Sequence, residues 1–456
     1  MKRKYLNPIS LSRIAIVLIF FISACQKDFT LDSVASGNQD TSVTESANKP
    51  NILFIVGDDI GYEIPTINRG QSYSTPNIDK LARDGMSFTQ CRSAPECSPS
   101  RFMLLTGKYN FRNYTVWGQM NHNQRTIGNM LKDAGYATCY AGKWQLDGGN
   151  QSIHTFGFDH YSVWLPFRVC PEDAEGSRYK SAKIYRDGGY LPQNMTNGKY
   201  SEDEFTQYVM DFMESNKSKP FFAYYDMILS HKAFSPTPDD PEYAGWNPNP
   251  ANSDSKYFPS MVKYMDKKIG MLINKLESLG IANNTVIIYI GDNGTQKEIT
   301  SVFNGKRITG GKGKTKEYGI HVPLICKWPG RIRTGAINND LIDFTDFLPT
   351  LAGISNIPVP GNYGILDGTS FYPRLTGGAG NPRSSVFCHF RPNNCSENDK
   401  LFRYAQDNIY KLYETGEFYD FTKDPNERKP LVTSLLTPKQ KQTRQKLQNV
   451  INAMHN

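Results

Sequence analysis

Two short apolar runs that stop abruptly at carboxylates limit this chain's fold more than any other feature. Asn51 to Asp59 reads NILFIVGDD, and Thr285 to Gly294 reads TVIIYIGDNG. Runs this short fit strands buried on both faces, as in parallel sheets, better than helices. YATCYAGKW (136–144) and KPFFAYYDMILSH (219–231) have the same form, and HVPLICKWPG (321–330) is a further strand candidate. Helical patterns alternate with them. TPNIDKLARDG (75–85) offers Thr75 as a cap, Pro76 at the first helical position and Gly85 as a stop, and TIGNMLKDAG (126–135) has a similar design. EDEFTQYVMDFMESNK (202–217) begins acidic and ends basic, which suits the helix dipole. SMVKYMDKKIGMLINKLESLG (260–280) places Met261, Met265, Ile269, Leu272, Leu276 and Leu279 on one face. The alternation predicts an α/β domain with a large, mostly parallel central sheet and helices on both faces. Ligands of such sheets bind beyond the carboxyl ends of the strands. Asp58, Asp59, Lys143, His231, Asp292 and Asn293 therefore converge on one rim.

From about residue 385 the texture changes. KLFRYAQDNIYKLYETGEFYDFTKDPNE (400–427) alternates aromatic and polar residues, which predicts antiparallel strands, and a polar helix follows over 437–454. The expected division is an α/β catalytic domain over 49–385 and a small C-terminal α+β subdomain over 386–456.

The N-terminus reads as a targeting segment. MKRK is followed by IAIVLIFFI (14–22), which falls short of the ~20 residues a membrane span needs. ISAC, ending at Cys25, resembles the lipobox of bacterial lipoproteins. That resemblance implies a signal peptide over 1–24, lipidation of Cys25, and an exported protein anchored on the periplasmic or cell-surface side of a bacterial membrane. Residues 25–48, rich in Ser, Thr, Asn and Asp, read as a flexible tether reaching about 25–30 Å. Export permits disulfides, and Cys388 and Cys395 are near enough in sequence to pair. The net charge of +8 comes without Lys/Arg runs beyond the first residues. This excludes a nucleic-acid stripe and suits anionic small molecules or polyanionic glycans.

Asp58, Asp59, Asp292 and Asn293 are hard oxygen donors, suited to Ca²⁺ or Mg²⁺ rather than zinc. The sharper signal is CSPSR (97–101). Ser98 can cap a helix, Pro99 fits its first position, and the run to Gly107 continues it. Cys97 then sits at a helix N-terminus, where backbone N–H groups favour anions, and Arg101 lies one turn further in.

Cys97, Pro99 and Arg101 match the Cys-x-Pro-x-Arg signature, and here the chain resembles the type I sulfatases of the alkaline phosphatase-like superfamily. NILFIVGDD, GKW, GDNG, GGKGKTKEYGIHVP (310–323), TDFLPTLAGI (345–354) and EFYDFTKDPNE (417–427) follow in the family's order, over roughly residues 49–430. The resemblance implies that a maturation enzyme oxidises Cys97 to formylglycine, whose hydrated aldehyde is the nucleophile. It implies a metal, Ca²⁺ before Mg²⁺, held by Asp58, Asp59, Asp292 and Asn293 beside the group at position 97. Arg101, Lys143 and Lys312 would supply positive charge to the sulfate and the hydroxyl, and His231 would protonate the leaving alcohol. Lys312 is preferred to Lys314 because it stands five residues before Glu317, the family spacing.

Two departures stand out. Gln145 occupies the place of a family histidine two residues after the GKW lysine, and glutamine cannot act as a base. His122, His154 or water are the alternatives for that proton. His321 stands where arginine is usual and Tyr318 where glycine is usual. Candidate substrate readers lie in the loops 164–180, 296–313 and 389–394, with Gln145, Arg307 and His321 as candidate contacts. The reading is a lipid-anchored, calcium-dependent sulfatase acting on a sulfated glycan. Its alternatives are a phosphoesterase or phosphonate monoester hydrolase of the same superfamily, and a catalytically weakened glycan-binding lipoprotein.

Overall fold

The computed structural model describes residues 49–116, 118–167, 176–392 and 400–454. The signal peptide, Cys25 and the tether lie outside the described residues, as do Cys170 and Cys395. Cys388 and the other described cysteines are free thiols. Among the described residues no helix is long and apolar enough to cross a membrane.

In chain order the elements that matter here are β1 (Asn51–Gly57), α1 (Pro76–Arg83), β2 (Met86–Arg92), α2 (Cys97–Thr106), α3 (Ile127–Asp133), β3 (Ala137–Lys143), β4 (His160–Trp164), α4 (Ser201–Ser215), β5 (Phe221–Asp226), α5 (Phe258–Ser278) and β6 (Thr285–Gly291). They continue with the hairpin β7 (Thr300–Phe303) and β8 (Lys306–Thr309), then β9 (His321–Lys327), β10 (Ala336–Asn338) and α6 (Phe347–Ile354). The C-terminal part holds β11 (Val386–Phe390), β12 (Phe402–Gln406), β13 (Tyr410–Tyr413), β14 (Phe418–Asp420) and α7 (Pro438–Ala453).

The main sheet runs β10-β2-β9-β6-β1-β5-β3-β4 and continues into a short hairpin at the β4 edge. The α/β expectation holds. β6, β1, β5, β3 and β4 are parallel, and every residue of β1 and β6 is buried. Alternate β1 side chains feed two cores. Ile52, Phe54 and Val56 pack with residues of α2, α3 and α6, whereas Leu53 and Ile55 pack with residues of α1, α4 and α5. That two-sided burial is why the strand reads as an unbroken apolar run.

β9 departs from a parallel reading, because it runs antiparallel to both β6 and β2. The connection from β6 carries the β7–β8 hairpin and one short helical turn instead of a crossover helix. The chain therefore stays at the rim and returns in the opposite sense. The β9–β2 register slips between Val322 and Leu324, at Pro323, which has no N–H to give the ladder.

The C-terminal strands form a separate antiparallel sheet, β11-β12-β13-β14, with α7 against it. Lys411 on β13 is buried, donates to the Thr315 carbonyl and pairs with Glu427 at 2.7 Å. This fastens the sheet to the loop that carries Lys312.

Candidate active site

Strand register builds the centre of the rim. β1 and β6 pair from Asn51↔Thr285 to Gly57↔Gly291, so Asp58 and Asp292 emerge level, one residue past the paired glycines. A Cβ on Gly291 would lie 2.0 Å from the Ile60 carbonyl oxygen, so only glycine permits the turn after β1. Asp59 adopts φ 59°, a left-handed conformation that aspartate tolerates. Its N–H donates to Asp292 Oδ1 at 2.9 Å. Its carboxylate accepts from Asn293 Nδ2 and Gln296 Nε2, each at 2.7 Å, and from Lys312 Nζ at 2.6 Å. On the neighbouring side, Lys143 at the end of β3 donates to Asp58 Oδ2 at 2.6 Å.

α2 brings in Cys97. The helix starts at Cys97 itself, with Glu96 as the capping position. Ser98 is therefore inside the first turn rather than at the cap, and its buried hydroxyl has no partner among the described residues. Pro99 still fits, since N–H groups of a first turn have no helical acceptor. Gly107 closes the helix with φ 68°. Ligating atoms of Cys97, Asp58 and Asp292 all lie within 4.8 Å of one another.

Three oxygens here are buried and have no partner among the described residues: Asp58 Oδ1, Asp292 Oδ2 and Asn293 Oδ1. Orphaned buried acceptors that converge in this way fit a hard divalent cation. The electrostatics of the rim point the same way. Burial lifts Asp58 to about 6 against the pull of Lys143. Burial, then the charges of Asp58 and Asp59, push Asp292 well above the usual carboxylate range. A cation would relieve both. Burial also raises the Cys97 thiol to about 11 in spite of Lys143 and Lys312, so as a thiol it is uncharged and a poor nucleophile at neutral pH.

Arg101 is wholly buried. Its Nε donates to Asp226 Oδ2, and its Nη2 to the carbonyls of Lys143 and Trp144 and, at 2.8 Å, to the Tyr140 hydroxyl. Nη1 has no partner among the described residues. Burial opposes its charge, but Asp226 holds it firmly protonated. Arg101 thus ties the helix bearing Cys97 to the strand end bearing Lys143.

His231 Nε2 stands 3.7 Å from Asp59 Oδ2. Burial, then Lys312, Arg178 and Lys143, depress its basicity well below the ordinary histidine value. Gln145 is buried with φ 47°, and neither polar atom of its amide has a partner among the described residues. The remaining candidates are elsewhere. Arg307 is exposed on β8. Both ring nitrogens of His321 are occupied, Nε2 by the Thr89 carbonyl at 2.9 Å and Nδ1 by Glu317 at 2.8 Å, and the ring stacks on Tyr62. His321 therefore braces Glu317, which Arg92 also clasps. His122 and His154 are exposed, with Phe156 beside the first and the Phe158 carbonyl bonded to the second.

The comparisons fit this geometry. The family model described as Sulfatase matches residues 50–357. This chain belongs to the sulfatase family. A second model, N-sulphoglucosamine sulphohydrolase, C-terminal, matches residues 312–456 of this sulfatase-family chain. The N-acetylgalactosamine-6-sulfatase of Canis lupus familiaris is 30% identical over 362 residues, covering 72% of this chain and 66% of that protein. The chain thus spans about two thirds of the length of that curated relative. Among solved structures, BT4656 in complex with its substrate D-glucosamine-2-N,6-O-disulfate superposes with a TM-score of 0.70 at 22% identity, covering 88% of this chain and 97% of that one. The phosphonate monoester hydrolase of Agrobacterium radiobacter superposes at 0.65 with 19% identity, covering 90% and 96%. Both likenesses establish the fold.

Sequence reasoning did not single out Gln296, Arg178 or Asp226, although the first two lie in the loops 296–313 and 164–180 offered above as substrate readers. Asp226 ends an apolar run, the same signal that identified Asp58, and could have been found by it. Gln296 and Arg178 sit in loops and carry no such signal.

Proposed function

We propose that this protein hydrolyses a sulfate ester on a carbohydrate, using a nucleophile made by oxidising Cys97 to formylglycine. The observation that carries the reading is Cys97 in the first turn of α2, within reach of Asp58 and Asp292 and of the orphaned oxygens around them. A divalent cation held by Asp58, Asp59, Asp292 and Asn293, Ca²⁺ by its donor set, would polarise the sulfate and acidify the attacking hydroxyl. Lys143 and Lys312 place fixed positive charge on the sulfate oxygens in a site that burial strengthens. Arg101 acts one layer behind, holding α2 against the strand that presents Lys143. His231 serves the departing sugar oxygen from the Nε2 side. The Gln145 amide can bind the intermediate or a water but cannot take its proton, so water is the acceptor when the sulfated hemiacetal returns to aldehyde.

Mass spectrometry of the peptide containing Cys97, from protein made in a host with the maturation enzyme, tests the nucleophile. Formylglycine is expected, and an unmodified thiol in catalytically active protein would overturn the reading. Sulfate release should be screened on defined sulfated mono- and disaccharides, starting with sulfated amino sugars because of the relative named above. The export signal and the Cys25 lipid anchor belong to the same proposal. Recovery of the wild-type protein with membranes, lost in Cys25→Ala, tests them.

A further inference from the structure

We propose that Arg178 is a positioning residue for His231: by donating to Nδ1, it holds the imidazole with its N–H on Nε2, facing the rim. The consequence for turnover rests on the sulfatase reading above. The geometry stands by itself.

Arg178 is buried, and its Nη1 lies 2.7 Å from His231 Nδ1. Its guanidinium stacks 4.6 Å above the Trp164 ring at the end of β4. The backbone beside it is fastened to the same loop. Tyr179 donates its hydroxyl to the Ile228 carbonyl at 3.0 Å and to the His231 carbonyl at 2.5 Å, and Ser201 Oγ donates to the Arg178 carbonyl at 2.6 Å. Glu202 Oε1 accepts from the Ile228 and Leu229 N–H groups at 2.6 and 3.0 Å. Arg178 and the His231 loop are therefore one braced unit.

Nδ1 has a second neighbour, the Lys232 carbonyl oxygen. The two make opposite demands. A guanidinium is always protonated and only donates, so it needs a lone pair on Nδ1, whereas a carbonyl only accepts and needs a proton there. With Arg178 in place the neutral ring carries its hydrogen on Nε2, the nitrogen that faces Asp59 and the rim. Nε2–H can then hydrogen-bond the ester oxygen and stabilise the negative charge that develops there as its bond to sulfur breaks, the ring staying neutral and the alcohol taking its proton from water. Without Arg178, the Lys232 carbonyl claims the N–H at Nδ1 and leaves Nε2 a bare acceptor, with nothing to offer a departing oxygen.

The test is Arg178→Met in the full chain, with Arg178→Lys as the variant that keeps a cationic donor should the first fail to fold. A sugar alcohol is a poor leaving group and needs help that nitrophenolate does not. Arg178→Met should lower kcat on a sulfated sugar by roughly 10²-fold while changing 4-nitrophenyl sulfate turnover little. An equal loss on both substrates, as a merely structural role would give, overturns the proposal. Histidine-selective ¹⁵N spectra decide it without turnover, with the His231 signals assigned by their loss in His231→Ala. Wild type and Arg178→Lys should show a protonated Nε2 and an unprotonated Nδ1, and Arg178→Met the reverse. The same tautomer in wild type and Arg178→Met overturns the proposal. A wild type that releases no sulfate from any ester would instead overturn the sulfatase reading, and the spectra would still settle the role of Arg178.

Discussion

Replacing Asp226 by alanine should be the most damaging single truncation near the site that leaves every metal-site residue in place. Arg101 and Asp226 are both fully buried, and their contact is an ion pair. Asp226 Oδ2 also accepts from the Tyr140 hydroxyl at 2.6 Å. Asp226→Ala strands a guanidinium whose remaining partners among the described residues are the Lys143 and Trp144 carbonyls and Tyr140. Leaving one charge of a buried pair uncompensated costs about 3–5 kcal/mol. Tyr140→Phe, which removes hydrogen bonds but no charge, should cost about 1–2 kcal/mol. The double variant Arg101→Met/Asp226→Leu should recover most of the stability lost in Asp226→Ala, since it leaves no unpaired charge. It should not recover activity, because α2 is no longer tied to the Lys143 strand end. Equilibrium urea unfolding of the full chain measures all four proteins, with sulfate release as the second readout. A loss below about 1 kcal/mol for Asp226→Ala would refute the reasoning, since it would mean that Arg101 is not held by a desolvated partner.

Glu202 gives a pH prediction. Burial lifts its carboxyl from 4.5 to about 7, so the native state binds the proton more tightly than the unfolded chain. The group therefore adds stability as pH falls through 7, worth about 2.5 kcal/mol between pH 8 and pH 5, and Glu202→Gln should remove that part of the slope in unfolding measured across the range. Glu427→Ala should strand buried Lys411, costing about 3–5 kcal/mol by thermal or urea unfolding. It should also lower kcat/KM, because Lys411 holds the Thr315 carbonyl just beyond Lys312. Gly142→Ala should destabilise by more than about 3 kcal/mol in a thermal melt. Gly142 has φ 94°, and its Cβ would lie 1.9 Å from the Asp226 carbonyl oxygen.

The rim residues were legible because burial leaves a local mark. A strand covered on both faces must be apolar throughout, so the residue at which it turns polar marks its end. Asp58, Asp292 and Lys143 were all readable from that rule. Cys97 and Arg101 were readable from their spacing and family resemblance, but the role of Arg101 was not. Its direction depends on Asp226 and on two carbonyls of another strand, more than forty residues away in sequence. Ser98 was misplaced as a cap because one-residue shifts of a helix start are invisible to propensity. His321 looked like a candidate reader until the fold closed Arg92, Glu317 and Thr89 around it.

The sequence by itself determined the alternation of strands and helices, the carboxylates at the strand ends and the cysteine at a helix start. These follow from burial and from backbone conformation, which act over a few residues. Only the tertiary structure decided that Gly57 pairs with Gly291, which sets Asp58 level with Asp292, and that Arg178 meets Nδ1 of His231. Register and loop packing are set by contacts between distant segments, and a hydrogen bond that spans such segments leaves no pattern in either one.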